Sequence, residues 1–327
     1  MQKEQVRAGL PPVTAEVITE RKFTLPAFAK INLGLRVLAR RADGYHELET
    51  VFQTASLHDT IELSAMDQPH IVLSGSDRAL NADDDNLVMK AARRLQARFA
   101  TTKGARIRLD KRIPMQAGLG GGSSNAAITM LGLVALWGLD ANGDELLAMA
   151  AELGADVSFF FHGGTARATG VGEKIEPLDD AREIFLLVVK PNAVISTVTA
   201  YRYLDQRSLT SPKSKTILST SAAKQFFDKG GFANLTNDFE AVVLEREPEI
   251  SRAKAALLKA GADAALLAGS GSAVFGIFDS EDAQGRAIQA IELETGWRVF
   301  PCKTVGREQY RRKMGAAGTI LDRFSSQ

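Results

Sequence analysis

Apolar residues recur at every second position over residues 23–38, where Ala29, Ile31 and Leu33 share one side of the chain. A period of two is typical of a half-buried β-strand. Similar short runs predict further strands at 50–56, 60–63, 71–73, 106–110, 165–168, 184–189, 264–267, 274–278 and 297–302.

Segments with helical spacing lie between these strands. Residues 86–99 have one apolar face, and 124–137 is nearly all apolar, which favours a buried helix. Further helices are predicted at 144–153, 196–205, 222–228, 238–244, 249–259 and 281–293. Because helices and strands alternate without a regular βαβ order, we predict an α+β fold with two lobes that meet near residue 180.

This pattern divides the chain into four predicted segments. Residues 1–22 mix charges and prolines, which predicts a loose extension; 23–180 and 181–305 form the two lobes, and 306–327 form a tail. The basic stretch 307–313 could indicate nucleic-acid binding, but we interpret it as a solvated tail. The Ser- and Thr-rich stretch 208–221 is the predicted mobile loop.

Composition and charge narrow the choice of function. The 327 residues carry a net charge of +1, so no global field favours nucleic acid or an anionic membrane as partner. The longest apolar run, 126–139, is shorter than the roughly 20 residues that span a bilayer, and we recognise no signal peptide. The single cysteine, Cys302, excludes a disulfide within the chain and is expected to be a buried strand residue. We therefore expect a cytoplasmic protein.

The strongest chemical signal is a glycine-rich loop at 114–125, Pro-Met-Gln-Ala-Gly-Leu-Gly-Gly-Gly-Ser-Ser-Asn, followed by the apolar helix. Glycines let a backbone approach a ligand closely, and the free N–H groups of a helix start attract anions. The loop is not a Walker A motif, because no lysine follows the last glycine, and it does not follow a first strand as a dinucleotide fold requires. We interpret it as the phosphate-holding loop of a small-molecule kinase, with a flexible surface loop as the alternative.

Five segments in the same order resemble motifs of the GHMP kinase family, which includes galactokinase, homoserine kinase and mevalonate kinase. They are 29–35 (first motif), 41–46 (a cytidine-binding turn found in one branch of the family), 114–124 (second motif), 154–157 (catalytic aspartate segment) and 268–272 (third motif). The resemblance spans roughly residues 23–305. It implies a ribosomal-S5-like N-terminal lobe and a ferredoxin-like C-terminal lobe. Gln116 and Ala117 depart from it, because family members commonly have glycines there, and Tyr201 stands where an aromatic Phe is common.

The resemblance implies the chemistry of the site. Lys30 would contact Asp156, which would accept a proton from the substrate hydroxyl as the hydroxyl attacks the γ-phosphoryl group of ATP. Mg²⁺ would accompany ATP, with the Ser124 hydroxyl as a candidate contact. The residues expected to bind ATP are Asn86, Lys111, Pro114, Gly118, Leu119, Gly120, Gly121, Gly122, Ser123 and Ser124.

The substrate implied by the resemblance is a small molecule that carries a cytidyl diphosphate. Tyr45 and Tyr201 would stack on the cytosine, His46 would bond its edge, and Asn32 would bind the acceptor end of the molecule. Thr197, Gly269, Ser270 and Gly271 complete the expected substrate site. The protein would be a monomer or a homodimer, without nucleic-acid or membrane partners.

Alternatives remain open at this point. Taken alone, the candidate residues also have ordinary structural interpretations: a helix N-cap for Ser124, Asp156 and Asn86, an outward strand position for Lys30, a strand start for Tyr45 and His46, and a tight turn for 269–272. The protein could also be another GHMP kinase of the homoserine or mevalonate type. A third possibility is a nucleotide-binding protein that has lost catalysis.

Overall fold

The computed structural model describes residues 22–75, 85–206, 232 and 235–324. The predicted loop 208–221, the predicted helix 222–228 and all but the last residue of the extension 1–22 lie outside these residues. Elsewhere the predicted strands and helices are found, with the differences given below.

The first part of the chain forms one sheet and the helices that cover it. Its elements are β1 (Lys22–Arg40), β2 (His46–Met66), β3 (Ile71–Gly75), α1 (Leu87–Arg98), β4 (Gly104–Asp110), α2 (Gly121–Trp137), α3 (Gly143–Leu153), a 3₁₀ helix (Ala155–Phe161), β5 (Thr165–Thr169) and β6 (Lys174–Pro177). The six strands follow the order β3-β4-β2-β5-β6, with β1 paired to β2 along its length. All pairs are antiparallel except β3 with β4.

The second part forms a four-stranded antiparallel sheet in the order β10-β7-β9-β8. Its elements are β7 (Phe185–Lys190), α4 (Thr197–Gln206), α5 (Glu240–Arg246), α6 (Pro248–Lys259), β8 (Ala264–Leu267), β9 (Val274–Phe278), α7 (Glu281–Ile291) and β10 (Arg298–Lys303), followed by α8 (Arg307–Lys313) and α9 (Gly318–Leu321). Two sheets, each covered by helices, confirm the predicted α+β class.

The strand β1 connects the hydrophobic cores. Its start packs with α1 and α2 through Leu25, its middle packs between the two sheets through Ile31, and its end packs with the second sheet and α4–α6 through Val37. Irregularities in its pairing with β2 occur between Phe28 and Ala29, between Asn32 and Gly34, and near its end. The strand therefore carries its central residues, including Lys30, to the junction of the two sheets.

Two predicted boundaries are wrong. Strand β2 runs without a break through His58 and Asp59, where two separate strands were predicted. Asp59 is fully buried, and its carboxylate accepts hydrogen bonds from the backbone N–H groups of Arg112 and Ile113 at 2.7 and 2.8 Å. His58 and Asp59 interrupt the apolar pattern, which is why two strands were predicted. The hydrogen bonds to Asp59 compensate for its burial, so the strand continues. Helix α2 begins at Gly121 rather than at 124.

The C-terminal segment also differs from the prediction, because residues 307–324 are not a solvated tail. Tyr310 is fully buried, its hydroxyl donates to the carbonyl of Phe160 at 2.5 Å, and Leu321 and Phe324 pack into the first core. The guanidinium of Arg307 donates to backbone carbonyls of the first sheet and its edge. The basic residues that suggested a tail belong to a short helix, α8, one face of which is buried.

Burial of His162 against this segment predicts an acid-sensitive contact. Burial, reinforced by the charges of Arg307 and Arg311, lowers the pKa of His162 from 6.5 to about 4. Between these two values the unfolded chain binds a proton that the folded chain does not, so stability falls as pH falls through this window. The loss at pH 4 should reach about 3 kcal/mol for this group.

Urea unfolding of the wild type and of His162→Gln at pH 7 and pH 5 tests this prediction. The variant removes the titrating group, so its free energy of unfolding should fall less between the two pH values than that of the wild type. Equal pH dependence in the two proteins would contradict the proposed role of His162.

Candidate active site

A cavity of about 1030 Å³ lies between the two sheets and includes the glycine-rich loop in its wall. Helix α2 starts inside this wall. Its N-cap is Gly120 in a left-handed conformation (φ +67°), and no side chain caps the helix. The first N–H groups of α2 are thus left for a ligand, which is the arrangement that holds phosphate.

The glycine-rich loop at 114–124 packs directly against the loop at 268–272, the third motif. Gly118 has φ +74°, and a Cβ added to it would overlap the carbonyl oxygen of Ala268. Gly269 has φ +53°, and its Cβ would lie 3.0 Å from the carbonyl oxygen of Gly118 and 3.4 Å from Lys30 Nζ. Both positions need glycine for conformation and for space, so the loop pair is a close backbone contact beside Lys30.

Gln116 is the unusual member of this loop. It has φ +51°, in the left-handed region that favours glycine, and its side chain is exposed. Its carbonyl oxygen accepts hydrogen bonds from the backbone N–H and the hydroxyl of Ser272, each at 3.2 Å. Having glutamine at 116, where family members commonly have glycine, therefore affects the backbone conformation more than the wall of the loop. Ala117, the other departure, is buried between the sheets.

Replacing Gln116 by Gly should stabilise the protein, because glycine adopts positive φ without the steric cost that Gln incurs. The expected gain is up to about 1 kcal/mol in the free energy of unfolding, measured in urea. The control is Met115→Gly, at an exposed neighbour outside the positive-φ region, which should lose stability. A loss of stability in both variants would show that Gln116 is not strained.

Lys30 and Asp156 meet in the cavity, as the family resemblance implies. Lys30 Nζ lies 3.3 Å from Asp156 Oδ2, with the lysine side chain 5% and the aspartate side chain 32% exposed. Lys30 also donates to Asn32 Oδ1 at 2.9 Å, and Asn32 Nδ2 donates to Thr50 Oγ1 at 2.8 Å. Asp156 is not a helix N-cap, because Gly154 occupies the N-cap of the 3₁₀ helix. Lys30 does not point outward from its strand, because it is buried.

Lys111 reaches the cavity beside the start of α2. It forms an ion pair with buried Asp59, and its Nζ would lie 3.3 Å from a Cβ added to Gly121. Asn86 lines the cavity and also caps α1, since its Oδ1 accepts from the backbone N–H of Val88 at 2.9 Å. The structural and binding interpretations of Asn86 are therefore compatible.

At the other end of the cavity, His46 lies between two residues of α4. Its imidazole stacks on Tyr201 with ring centroids 4.7 Å apart, and its Nε2 lies 2.7 Å from Asp205 Oδ1. Burial and the charge of Asp156 raise the pKa of Tyr201 to about 12, so its hydroxyl keeps its proton at neutral pH. Tyr45 is 65% exposed at the cavity mouth. An aromatic surface thus adjoins a polar edge, as a heterocyclic base requires.

Most of the predicted site residues line this cavity, but two do not. Gly271 forms the turn behind the third loop, where its N–H donates to Ala268. Ser124 lies within the first turn of α2 rather than at its N-cap, and its buried hydroxyl has no hydrogen-bond partner among the described residues. Several residues of the cavity wall were not predicted from the sequence, notably Arg202 and Asp205 on α4. Their positions relative to Thr197 and Tyr201 fit one helix face, which was the available signal.

An uncapped helix start beside a lysine–aspartate pair is the arrangement that phosphoryl transfer to a small molecule needs, and the class of protein it indicates is a small-molecule kinase. The family model of the GHMP kinase N-terminal domain matches residues 86–164, and that of the C-terminal domain matches 222–295. A 4-diphosphocytidyl-2-C-methyl-D-erythritol kinase of Solibacter usitatus is 42% identical over 90% of this chain and 92% of its own. An enzyme of the same name from Bacillus pumilus is 41% identical over 80% of this chain and 90% of its own. The chain belongs to the GHMP kinase family.

Solved structures agree with this membership. A crystal structure of 4-(cytidine 5'-diphospho)-2C-methyl-D-erythritol kinase matches with a TM-score of 0.74 and 33% identity, covering 86% of this chain and 99% of that one. Homoserine kinase from Cytophaga hutchinsonii matches with a TM-score of 0.59 at 19% identity, covering 91% of this chain and 99% of that one, and shows the shared fold. Among the described residues, the helices are too short or too polar to cross a membrane.

Proposed function

We propose that this protein is an ATP-dependent kinase that phosphorylates the 2-hydroxyl of 4-diphosphocytidyl-2-C-methyl-D-erythritol, in the non-mevalonate route of isoprenoid synthesis. The observation that carries the proposal is the position of the Lys30–Asp156 pair. It lies in one cavity with the helix start that suits phosphate and the aromatic cluster of His46 and Tyr201 that suits a base. The relatives of the same name, about 40% identical, support it.

In the proposed reaction, the Asp156 carboxylate accepts the proton of the 2-hydroxyl. The hydroxyl oxygen forms a bond to the γ-phosphorus, the bond from that phosphorus to the β–γ bridging oxygen breaks, and ADP leaves. Lys30 orients Asp156 and neutralises negative charge on the transferred group. The amide oxygen of Asn32 accepts from Lys30 and its amide nitrogen donates to Thr50, so Asn32 positions the lysine in addition to facing the substrate.

The nucleotide would bind with its phosphates at 118–123, while Asn86 and Lys111 line the same end of the cavity. Mg²⁺ would neutralise phosphate charge during transfer. Among the described residues there is no group of three or more His, Cys, Asp or Glu that could hold a metal ion. A metal carried by ATP and water, with Ser123 in the cavity wall, fits this donor set. The Ser124 hydroxyl is buried outside that wall, so it is the weaker candidate contact.

The decisive experiment measures ATP turnover by the purified protein with 4-diphosphocytidyl-2-C-methyl-D-erythritol, and determines by NMR which hydroxyl of the product is phosphorylated. Homoserine and mevalonate serve as competing acceptors. Phosphorylation of the 2-hydroxyl alone supports the proposal. Turnover of homoserine or mevalonate without the cytidyl compound would assign another GHMP activity, and nucleotide binding without any turnover would indicate a catalytically silent protein.

The proposal extends to cell context. A kinase of small metabolites with a single cysteine, which is buried, fits the reducing cytoplasm. Burial raises the pKa of the Cys302 thiol to about 12, so it stays protonated and unreactive. We expect a monomer or a homodimer, and no nucleic-acid partner, since Arg307 and Tyr310 are used within the fold.

A further inference from the structure

Helix α4 presents one side to the cavity. The residues of α4 that line it are Thr197, Val198, Tyr201, Arg202 and Asp205. They follow helical spacing and form a strip about 12 Å long at 1.5 Å rise per residue. Whatever fills this half of the cavity must lie along that strip.

The two ends of the strip contact different elements of the cavity wall. At the start of α4, the hydroxyl of Thr197 lies 3.1 Å from that of Ser270, in the loop that packs beside Lys30. Near the end of α4, Asp205 bonds His46 and Tyr201 stacks on it. The strip therefore leads from the side of the proposed phosphoryl acceptor to the side of the proposed base.

The cations in the cavity wall are not equivalent. Lys30 pairs with Asp156, and Lys111 pairs with Asp59. Arg202 is exposed and has no ion pair or hydrogen bond to any residue within the described ranges 22–75, 85–206, 232 and 235–324. Among the lysines and arginines of the described wall, its charge is the one left for a ligand.

We propose that Arg202 binds the diphosphate that joins the two halves of the substrate. This inference rests on the proposed function. In that substrate the diphosphate lies next to the cytidine and joins it to the erythritol. Arg202 lines the cavity directly after Tyr201, which stacks on His46, and five residues after Thr197 at the other end of the strip. A guanidinium offers several N–H donors in a plane and bonds two phosphate oxygens at once, which suits a flexible bridge that crosses an open cavity.

The test compares CDP with cytidine as probes of the intact protein. Isothermal titration of Arg202→Gln should give about ten-fold weaker binding of CDP than the wild type, with cytidine binding unchanged. Arg202→Lys should lose less, since it keeps the charge but not the planar donor pair. In turnover, KM for the cytidyl substrate should rise in Arg202→Gln, while kcat and KM for ATP stay near the wild-type values.

Arg286→Gln is the matched control, because Arg286 is an exposed arginine on α7 outside the cavity. It should bind CDP and cytidine like the wild type. Equal weakening of both probes in Arg202→Gln, or no weakening of CDP, would overturn the role of Arg202 while the wild type still turns over the substrate. If the wild type binds neither probe and shows no turnover, the proposed function fails, and this inference fails with it.

Discussion

Replacing Asp156 by Asn should lower kcat by roughly 10²–10⁴-fold, because an amide cannot accept the proton of the substrate hydroxyl. The side chain keeps its size, and one-third of it is exposed, so the fold should remain intact. The proposed nucleotide site is the loop at 118–123, so nucleotide binding should change little. Steady-state turnover with titration of ADP separates the two effects.

Two comparisons sharpen this experiment. Asp140→Asn removes an exposed carboxylate from the turn before α3 and should leave turnover unchanged. Lys30→Met removes the partner of Asp156 and the donor to Asn32, so it should also reduce kcat. Near-normal turnover in Asp156→Asn, with a folded protein, would exclude Asp156 as the base. Activation of the substrate by Lys30 alone would then be the alternative mechanism.

Replacing Gly118 by Ala should produce the largest loss of stability among substitutions in the glycine-rich loop. The added Cβ would overlap the carbonyl oxygen of Ala268 and lie 2.7 Å from its carbon, and φ at Gly118 is +74°. Positive φ costs Ala about 1 kcal/mol relative to Gly, and overpacking against backbone adds about 1–3 kcal/mol. Urea unfolding should therefore show a loss of about 2–4 kcal/mol, and activity should fall because both loops shift.

Gly122→Ala is the matched control for this substitution. Gly122 lies in the first turn of α2 without positive φ, and its added Cβ would meet only the Leu87 side chain at an ordinary 3.5 Å. Ala is also the better helix former, so stability should be unchanged or slightly higher. Similar stability in Gly118→Ala and the wild type would show that the two loops are not in tight contact in solution.

The elements with regular periodicity were predictable from sequence. Alternation identified β1, and the apolar run identified α2, because each pattern reports burial on a known face. The continuity of β2 was not predictable, since buried Asp59 is compensated by backbone N–H groups more than 50 positions away in the chain. The C-terminal helix was missed because its basic residues outnumber the few, such as Tyr310, that face the core.

The site was predictable to the extent that it lies in motifs. The glycine-rich loop predicts phosphate binding by itself, because its glycines lead directly into a helix. The contact between Lys30 and Asp156 was predicted from the family resemblance, since spacing alone could not show it. Arg202 and Asp205 lie outside every motif, and only their helical spacing from Thr197 and Tyr201 could have indicated that they share the same face. The left-handed backbone at Gln116 was equally hidden, because positive φ is uncommon for a residue other than glycine and glutamine gives no sequence signal for it.

The strand β1 also matters for inhibitor resistance. Lys30 and Asn32 face the cavity from β1, while their neighbours Ala29, Ile31 and Leu33 belong to a hydrophobic core, since side chains of a strand alternate between its faces. A shift of β1 that moved these two groups away from a bound drug would also turn its apolar residues out of the cores. A compound anchored on Lys30 and Asn32 would therefore leave the target few routes of escape by mutation, whereas one anchored on exposed Tyr45 would leave many.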